Sequence, residues 1–225
     1  MSVRIKIIYA SSNSFKKQEA RAICDTFEIP IGIDGAEKKI GELFEFEFRK
    51  SGAREILVRD LEQMMHHKAR SAYEVLQVPC IVEHAGLLFE NLKSENYPGG
   101  LTQPMWDALG AERFITETGS ANRKAIARAV IGYCDGMSIK TFVGETRGTI
   151  TSAPRGSREF YWDTVFRPHD PDTDKPYPQT YAEMAGDENS DGLIKKLRLS
   201  QSTKAMLQFL KYRLAAGDPE LFPSV

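Results

Sequence analysis

Val3–Ala10 (VRIKIIYA) opens with apolar and basic residues in alternation and is rich in β-branched side chains, which predicts a strand. The polar cluster Ser11-Ser12-Asn13 follows, suited to capping a helix. After it, Phe15, Ala22, Ile23 and Phe27 recur at helical spacing. Strand, polar turn and helix in that order form the βα arrangement in which ligands collect beyond the strand's carboxyl end. Leu43–Phe48 alternates strictly, with Phe44, Phe46 and Phe48 on one face and Glu45 and Glu47 on the other, so it predicts a half-buried strand.

Arg59–Gln77 carries an apolar stripe of Leu61, Met64, Met65, Ala69, Ala72 and Leu76, the signature of a core-packed helix. Val78–Val82 reads as a short buried strand ending at Glu83-His84-Ala85-Gly86. Asn91–Gly100 is a polar loop, and Thr102–Leu109 is helical. Ala121–Arg128 has helical character, although a strand through Ala129–Tyr133 is the alternative. Lys140–Val143 and Gly148–Ser152 predict two strands of a meander turning at Gly144–Arg147. The prolines and aspartates of His169–Pro178 predict an exposed loop, and Ser200 caps a closing helix through Leu214. This order of elements predicts an α/β fold with a mixed sheet and flanking helices.

Composition narrows the setting. The 225 residues fit a single domain, 1–225, and 41% hydrophobic with 27% charged residues is a globular balance. Thirty basic against thirty-one acidic side chains give no excess to draw the chain to nucleic acid or an anionic membrane. No apolar run approaches the roughly 20 residues that span a bilayer, and the first residues are too short an apolar run for a signal peptide. Cys24, Cys80 and Cys134 are scattered and odd in number, as expected of reduced, buried thiols in a cytoplasmic protein.

From residue 153 the chain reads APRGSREFYWDTVFRP, a short loop, then QTYAEM. In this it resembles the inosine triphosphate pyrophosphatase family, whose eukaryotic members carry APRG, an F-G-W-D-P core, F-x-P and TYAEM in that order. Ser11-Ser12-Asn13 with Lys16 and Glu19 resembles the family's N-terminal (T/S)-x-N-x-x-K-x-x-E pattern. Ile81–Leu87 (IVEHAGL) stands where the family has V-E-D-T-G-L, and Lys68-Ala69 where it has a helical lysine. Lys196 and Ser200 match its K-x-x-x-S before a closing helix. Five blocks in order cover nearly the whole chain.

The resemblance implies an elongated mixed α/β fold with two lobes around a central nucleotide-binding cleft, a homodimer, and magnesium-dependent hydrolysis of non-standard purine nucleoside triphosphates to monophosphate and pyrophosphate. A polyphosphate calls for lysines, N–H donors at a helix start and a divalent cation held by carboxylates. The implied substrate residues are Ser11, Asn13, Lys16, Lys68, Phe160, Trp162, Asp163, Lys196, Ser200 and Gln201. Phe160 and Trp162 offer flat faces for a base, and Asp163 a hydrogen-bond acceptor. Glu83 is the implied metal ligand and, with His84, the catalytic pair; the expected cofactor is Mg2+.

The chain departs from the family at its chemical positions. His84 stands where an acidic residue is expected to bind metal and activate water; imidazole is a competent base but a poor magnesium ligand. A helical glutamate five residues before the lysine is here Gln63, with Glu62 one position off. His66-His67 suggests a transition-metal site with His84, but adjacent helical residues point about 100° apart. Gln201-Ser202 replaces a His-Arg pair that meets the 6-oxo purine, and Tyr161 and Thr164 replace Gly and Pro. Three readings stay open: a triphosphate pyrophosphatase with altered base preference, a hydrolase acting on a nucleoside monophosphate, and a non-catalytic nucleotide binder.

Overall fold

The structure is a computed structural model that describes residues 4–31, 35–118, 123–156, 161–186 and 191–216. It is a mixed α/β fold built on a six-stranded sheet of order β4-β1-β5-β6-β7-β8. The strands are β1 (Ile5–Ala10), β4 (Phe44–Arg49), β5 (Cys80–Phe89), β6 (Lys124–Cys134), β7 (Ile139–Ile150) and β8 (Phe166–Pro168). β1 runs parallel to both β4 and β5, and the remaining pairs are antiparallel. A hairpin of β2 (Glu28–Ile31) and β3 (Ala36–Lys39) stands apart from this sheet.

Alternation along the strands sorts the core onto both faces. Ile7 and Tyr9 of β1 pack with Ile23 of α1 (Ser14–Thr26) and Phe209 and Leu210 of α7 (Gln201–Ala216). Ile8 and Ala10 turn the other way, onto Leu61, Met65 and Ala69 of α3 (Leu61–Leu76). The short helix α2 (Ile40–Leu43) leads into β4. A third cluster gathers at the far end of the sheet, where Phe89, Phe114, Trp162, Phe166 and Tyr181 bring together α4 (Thr102–Glu117), β8 and α5 (Tyr181–Ala185). Helix α6 (Asp191–Leu199) leads into α7.

Three expected elements are revised. The described part of Ala121–Arg128 is strand from Lys124, the alternative reading, and Ala125, Ile126 and Ala127 are buried where β6 lies between β5 and β7. β5 does not stop at Val82 but continues through Glu83–Gly86, because β6 pairs with it along its whole length. The expected turn at Gly144–Arg147 is the middle of the unbroken strand β7. Gly144 signals a close approach rather than a turn: a Cβ there would lie 2.0 Å from the Gln201 carbonyl oxygen, where α7 begins. The reversal lies instead between β6 and β7, where Asp135 caps the turn through the backbone N–H groups of Met137 and Ser138. In the expected exposed loop, His169 is buried and held by Thr149 (2.7 Å) and Asp174 (3.1 Å). Among the described residues no helix is long and apolar enough to cross a membrane.

Candidate functional site

The cleft opens where β1 stops. β1 pairs with β5 only at Ile8↔Cys80 and Tyr9↔Ile81, whereas β5 runs on to Phe89. Beyond that point a cavity of about 390 Å³ is lined by the turn after β1, the start of α1, the irregular segment from Lys50 to Glu55, α3, and the first residues of α7.

At its centre the Glu83 carbonyl oxygen accepts hydrogen bonds from two ammonium groups, Lys16 Nζ at 2.8 Å and Lys68 Nζ at 3.2 Å. Lys16 comes from the first turn of α1, where the Asn13 side chain caps the helix by accepting from the Phe15 and Lys16 N–H groups. Lys68 reaches in from α3, on the other face of the sheet.

Neighbouring strand residues face opposite ways, so Glu83 and His84 work in different surroundings. The buried Glu83 carboxylate accepts from the Tyr9 hydroxyl and lies 3.3 Å from Lys16 Nζ. Burial would raise its pKa, but Lys16 and hydrogen bonds from Tyr9 and Ser202 outweigh this and lower it to about 2. His84 Nδ1 lies 3.8 Å from a Glu55 carboxylate oxygen, and its Nε2 is buried with no hydrogen-bond partner among the described residues. Burial and the adjacent Lys68 lower the His84 pKa to about 4 against the attraction of Glu55, so the ring is neutral at pH 7. Glu55 is ion-paired with Lys68. Burial pushes its carboxyl up, yet Lys68 prevails and holds it below the ordinary value. The Lys68 ammonium is itself pulled down by burial and by Lys16.

At another wall the buried Lys196 bridges two carboxylates, Asp163 at 2.7 Å and Glu19 at 2.8 Å. Ser200 accepts from the Ser202 N–H at 3.2 Å, as a helix-capping serine should, and Gln201 Oε1 accepts from the Tyr181 hydroxyl at 3.2 Å.

Of the residues expected from sequence, Ser11, Asn13, Lys16, Lys68, Glu83, His84, Trp162, Asp163, Lys196, Ser200 and Gln201 all line this one cavity. Phe160 lies outside the described residues. Trp162 lines the cavity but is only 4% exposed, packed edge-on against Phe166, and the more exposed ring at this wall is Tyr161. The expected roles need correction at two places. Gln63, His66 and His67 are exposed on α3 and do not line the cavity, so neither a lost helical carboxylate nor a histidine cluster bears on it. A cavity carboxylate that the sequence did not disclose is Glu55, ion-paired with Lys68 and 3.8 Å from His84. It escaped the sequence reading because Lys50–Asp60 has no periodicity and almost no regular structure. Tyr9, a strand residue to all appearance, was equally silent.

The fold and cavity define an α/β protein with a densely charged ligand site at the open edge of a mixed sheet. The chain belongs to the Ham1 family, whose sequence model matches residues 7–212. It is 30% identical over 210 residues to the dITP/XTP pyrophosphatase of Methanopyrus kandleri, covering 92% of this chain and 96% of that protein. It is 32% identical over 206 residues to inosine triphosphate pyrophosphatase 1 of Trypanosoma cruzi, covering 90% and 89%. In fold it resembles a HAM1 protein from Coxiella burnetii, with a TM-score of 0.64 at 19% identity over 95% of this chain and all of the other. The Ham1 protein of Staphylococcus aureus is similar, with a TM-score of 0.59 at 18% identity over 94% of this chain.

Proposed function

We propose that this protein hydrolyses a non-canonical purine nucleoside triphosphate to the monophosphate and pyrophosphate. The observation that carries this reading is the convergence of Lys16 and Lys68, from opposite faces of the sheet, on the backbone carbonyl of the buried Glu83. Such a pair, next to the start of α1, suits an elongated polyphosphate. Family membership and the names of the relatives support the same substrate class.

The charge balance of the cavity bears on the metal. Lys16, Lys50, Lys68 and Lys196 face Glu19, Glu55, Glu83 and Asp163, so the walls are formally neutral. A triphosphate entering a neutral cavity needs added positive charge. Magnesium commonly binds through one or two carboxylates together with substrate phosphates, and Glu55 and Glu83 supply that donor set. Among the described residues there is no group of three or more acidic, histidine or cysteine side chains placed to hold a metal. When bound there, the metal supplies Lewis-acid stabilisation of charge on the phosphates.

In the proposed reaction water attacks the α-phosphorus, the bond to the bridging oxygen breaks, and pyrophosphate leaves with that oxygen. Lys16 and Lys68 hold the polyphosphate. Neutral His84, with its Nε2 unengaged, takes the proton from the attacking water. Tyr9 and Lys16 fix the Glu83 carboxylate as an anion. The alternative of a metal-independent hydrolase on a monophosphate drew on missing carboxylates, and Glu55 removes that motive. Tyr161, Gln201 and Ser202 at the wall of the cavity support a base preference unlike that of relatives with a His-Arg pair.

A panel of nucleoside tri-, di- and monophosphates with several bases tests the reaction, with products resolved by chromatography. Pyrophosphate from at least one triphosphate, requiring added divalent cation, is the expected outcome; orthophosphate or free base in its place would sink the reading. The role of His84 predicts its own signature. Activity should rise as pH is raised through about 4 and stay flat through 6.5, the acid limb reporting the depressed histidine. His84→Asn should slow turnover by about 10²–10⁴-fold, and an undiminished rate would remove His84 from the chemistry. The linked stability effect has a definite sign. Because the folded pKa lies below 6.5, the unfolded chain takes up the proton first, so the His84 contribution declines as pH falls from 6.5 towards 4.

A further inference from the structure

A second opening lies at the other end of β1. Pro79 directly precedes β5 and has no N–H, so it cannot donate a bond that would carry the ladder to β1 below Cys80. A cavity of about 280 Å³ lies beside this break in the pairing, with Ile7, Ile81 and Phe209 as its apolar surfaces and Lys6, Arg49 and Tyr133 among its polar ones. None of these residues lines the cavity described above.

Two features call for a ligand. Tyr133 is 4% exposed and its hydroxyl has no hydrogen-bond partner among the described residues, an exception to the rule that buried polar groups are satisfied. Burial, its main influence, pushes the hydroxyl up to about 12, so it stays a donor at neutral pH. Lys6 and Arg49 share one carboxylate, Glu47, at 2.9 and 2.6 Å, which leaves an excess of positive charge at the same opening.

We propose that this cavity is a second binding site, for a small organic anion with an apolar body and one anionic head, either a carboxylate or a phosphate monoester. The body lies against Ile7, Ile81 and Phe209, and the head takes the Tyr133 hydroxyl and the Lys6–Arg49 charge. Its volume falls just below the usual range for ligand pockets, which excludes a whole nucleoside triphosphate. The proposal does not depend on the catalytic reading.

Hexanoate and phenyl phosphate serve as probes, titrated calorimetrically into the full chain, into Tyr133→Phe and into Lys6→Gln. Saturable one-to-one binding of at least one probe is expected, weakened roughly five-fold by Tyr133→Phe, the factor for one lost hydrogen bond. Which probe binds tighter identifies the head group. Lys6 lies at the rim, with its side chain 57% exposed, so Lys6→Gln should keep its fold and also weaken binding. No saturable binding of either probe, equal affinity in wild type and both variants, or competition by a nucleoside triphosphate for the same site would each overturn the proposal.

Discussion

Glu83→Gln should reduce kcat by at least about 100-fold, a loss near 3 kcal/mol of transition-state stabilisation, without raising KM. Glutamine keeps nearly the same shape and can still accept from Tyr9, but it removes the negative charge that faces Lys16 at 3.3 Å. The walls, formally neutral in the native protein, then carry a net positive charge, so a polyanionic substrate should bind as well as before or better. Steady-state kinetics on the best substrate of the panel separates the two effects. A raised KM with an unchanged kcat would mean that Glu83 only shapes the binding surface.

Lys196→Met should be the most destabilising single change at the site. The lysine is 4% exposed and is the shared counter-ion of Asp163, itself buried, and of Glu19. Removing one partner from a buried charge cluster costs about 3–5 kcal/mol, because the remaining charges stay desolvated. For a chain of this length each kcal/mol lowers Tm by about 2–4 °C, so a drop of order 10 °C is expected in thermal unfolding. Adding Asp163→Asn should restore part of the loss by removing one of the two carboxylates that Lys196 neutralises. A double variant no more stable than Lys196→Met would show that the lysine matters for packing rather than charge.

Much of the fold was legible in the sequence because its strongest motifs are structural. In QTYAEM, Thr180 and Glu183 form a reciprocal capping box that starts α5, and Tyr181 is buried in the core. In APRG, Arg155 bonds the Pro178 carbonyl and pairs with Glu183, while Gly156 has a φ of 97° and backs onto the Glu183 N–H. These residues hold one another. They place the wall of the cavity but carry little of its chemistry.

The reactive side of the site was harder to read. Glu83 and His84 were found by resemblance, yet the strand was expected to end before them. Charged residues interrupt the apolar run, and only pairing with β6, together with the cavity on the opposite edge, explains why they remain in a strand. Glu55 lies in a segment without periodicity, so its place beside Lys68 follows from tertiary packing alone. Gly144 misled in the opposite sense. Its missing side chain makes room for a helix, which local pattern cannot distinguish from a turn.

The two lysines on the Glu83 carbonyl have a consequence for how the site comes into being. Lys16 is carried by a helix packed on one face of the sheet and Lys68 by a helix packed on the other. Neither half of the core can assemble the phosphate-holding pair alone, and a loosening of either face separates the charges before any strand is lost. The cavity is therefore a gauge of the whole sheet's integrity: ligand affinity should respond to damage in either core before global unfolding does.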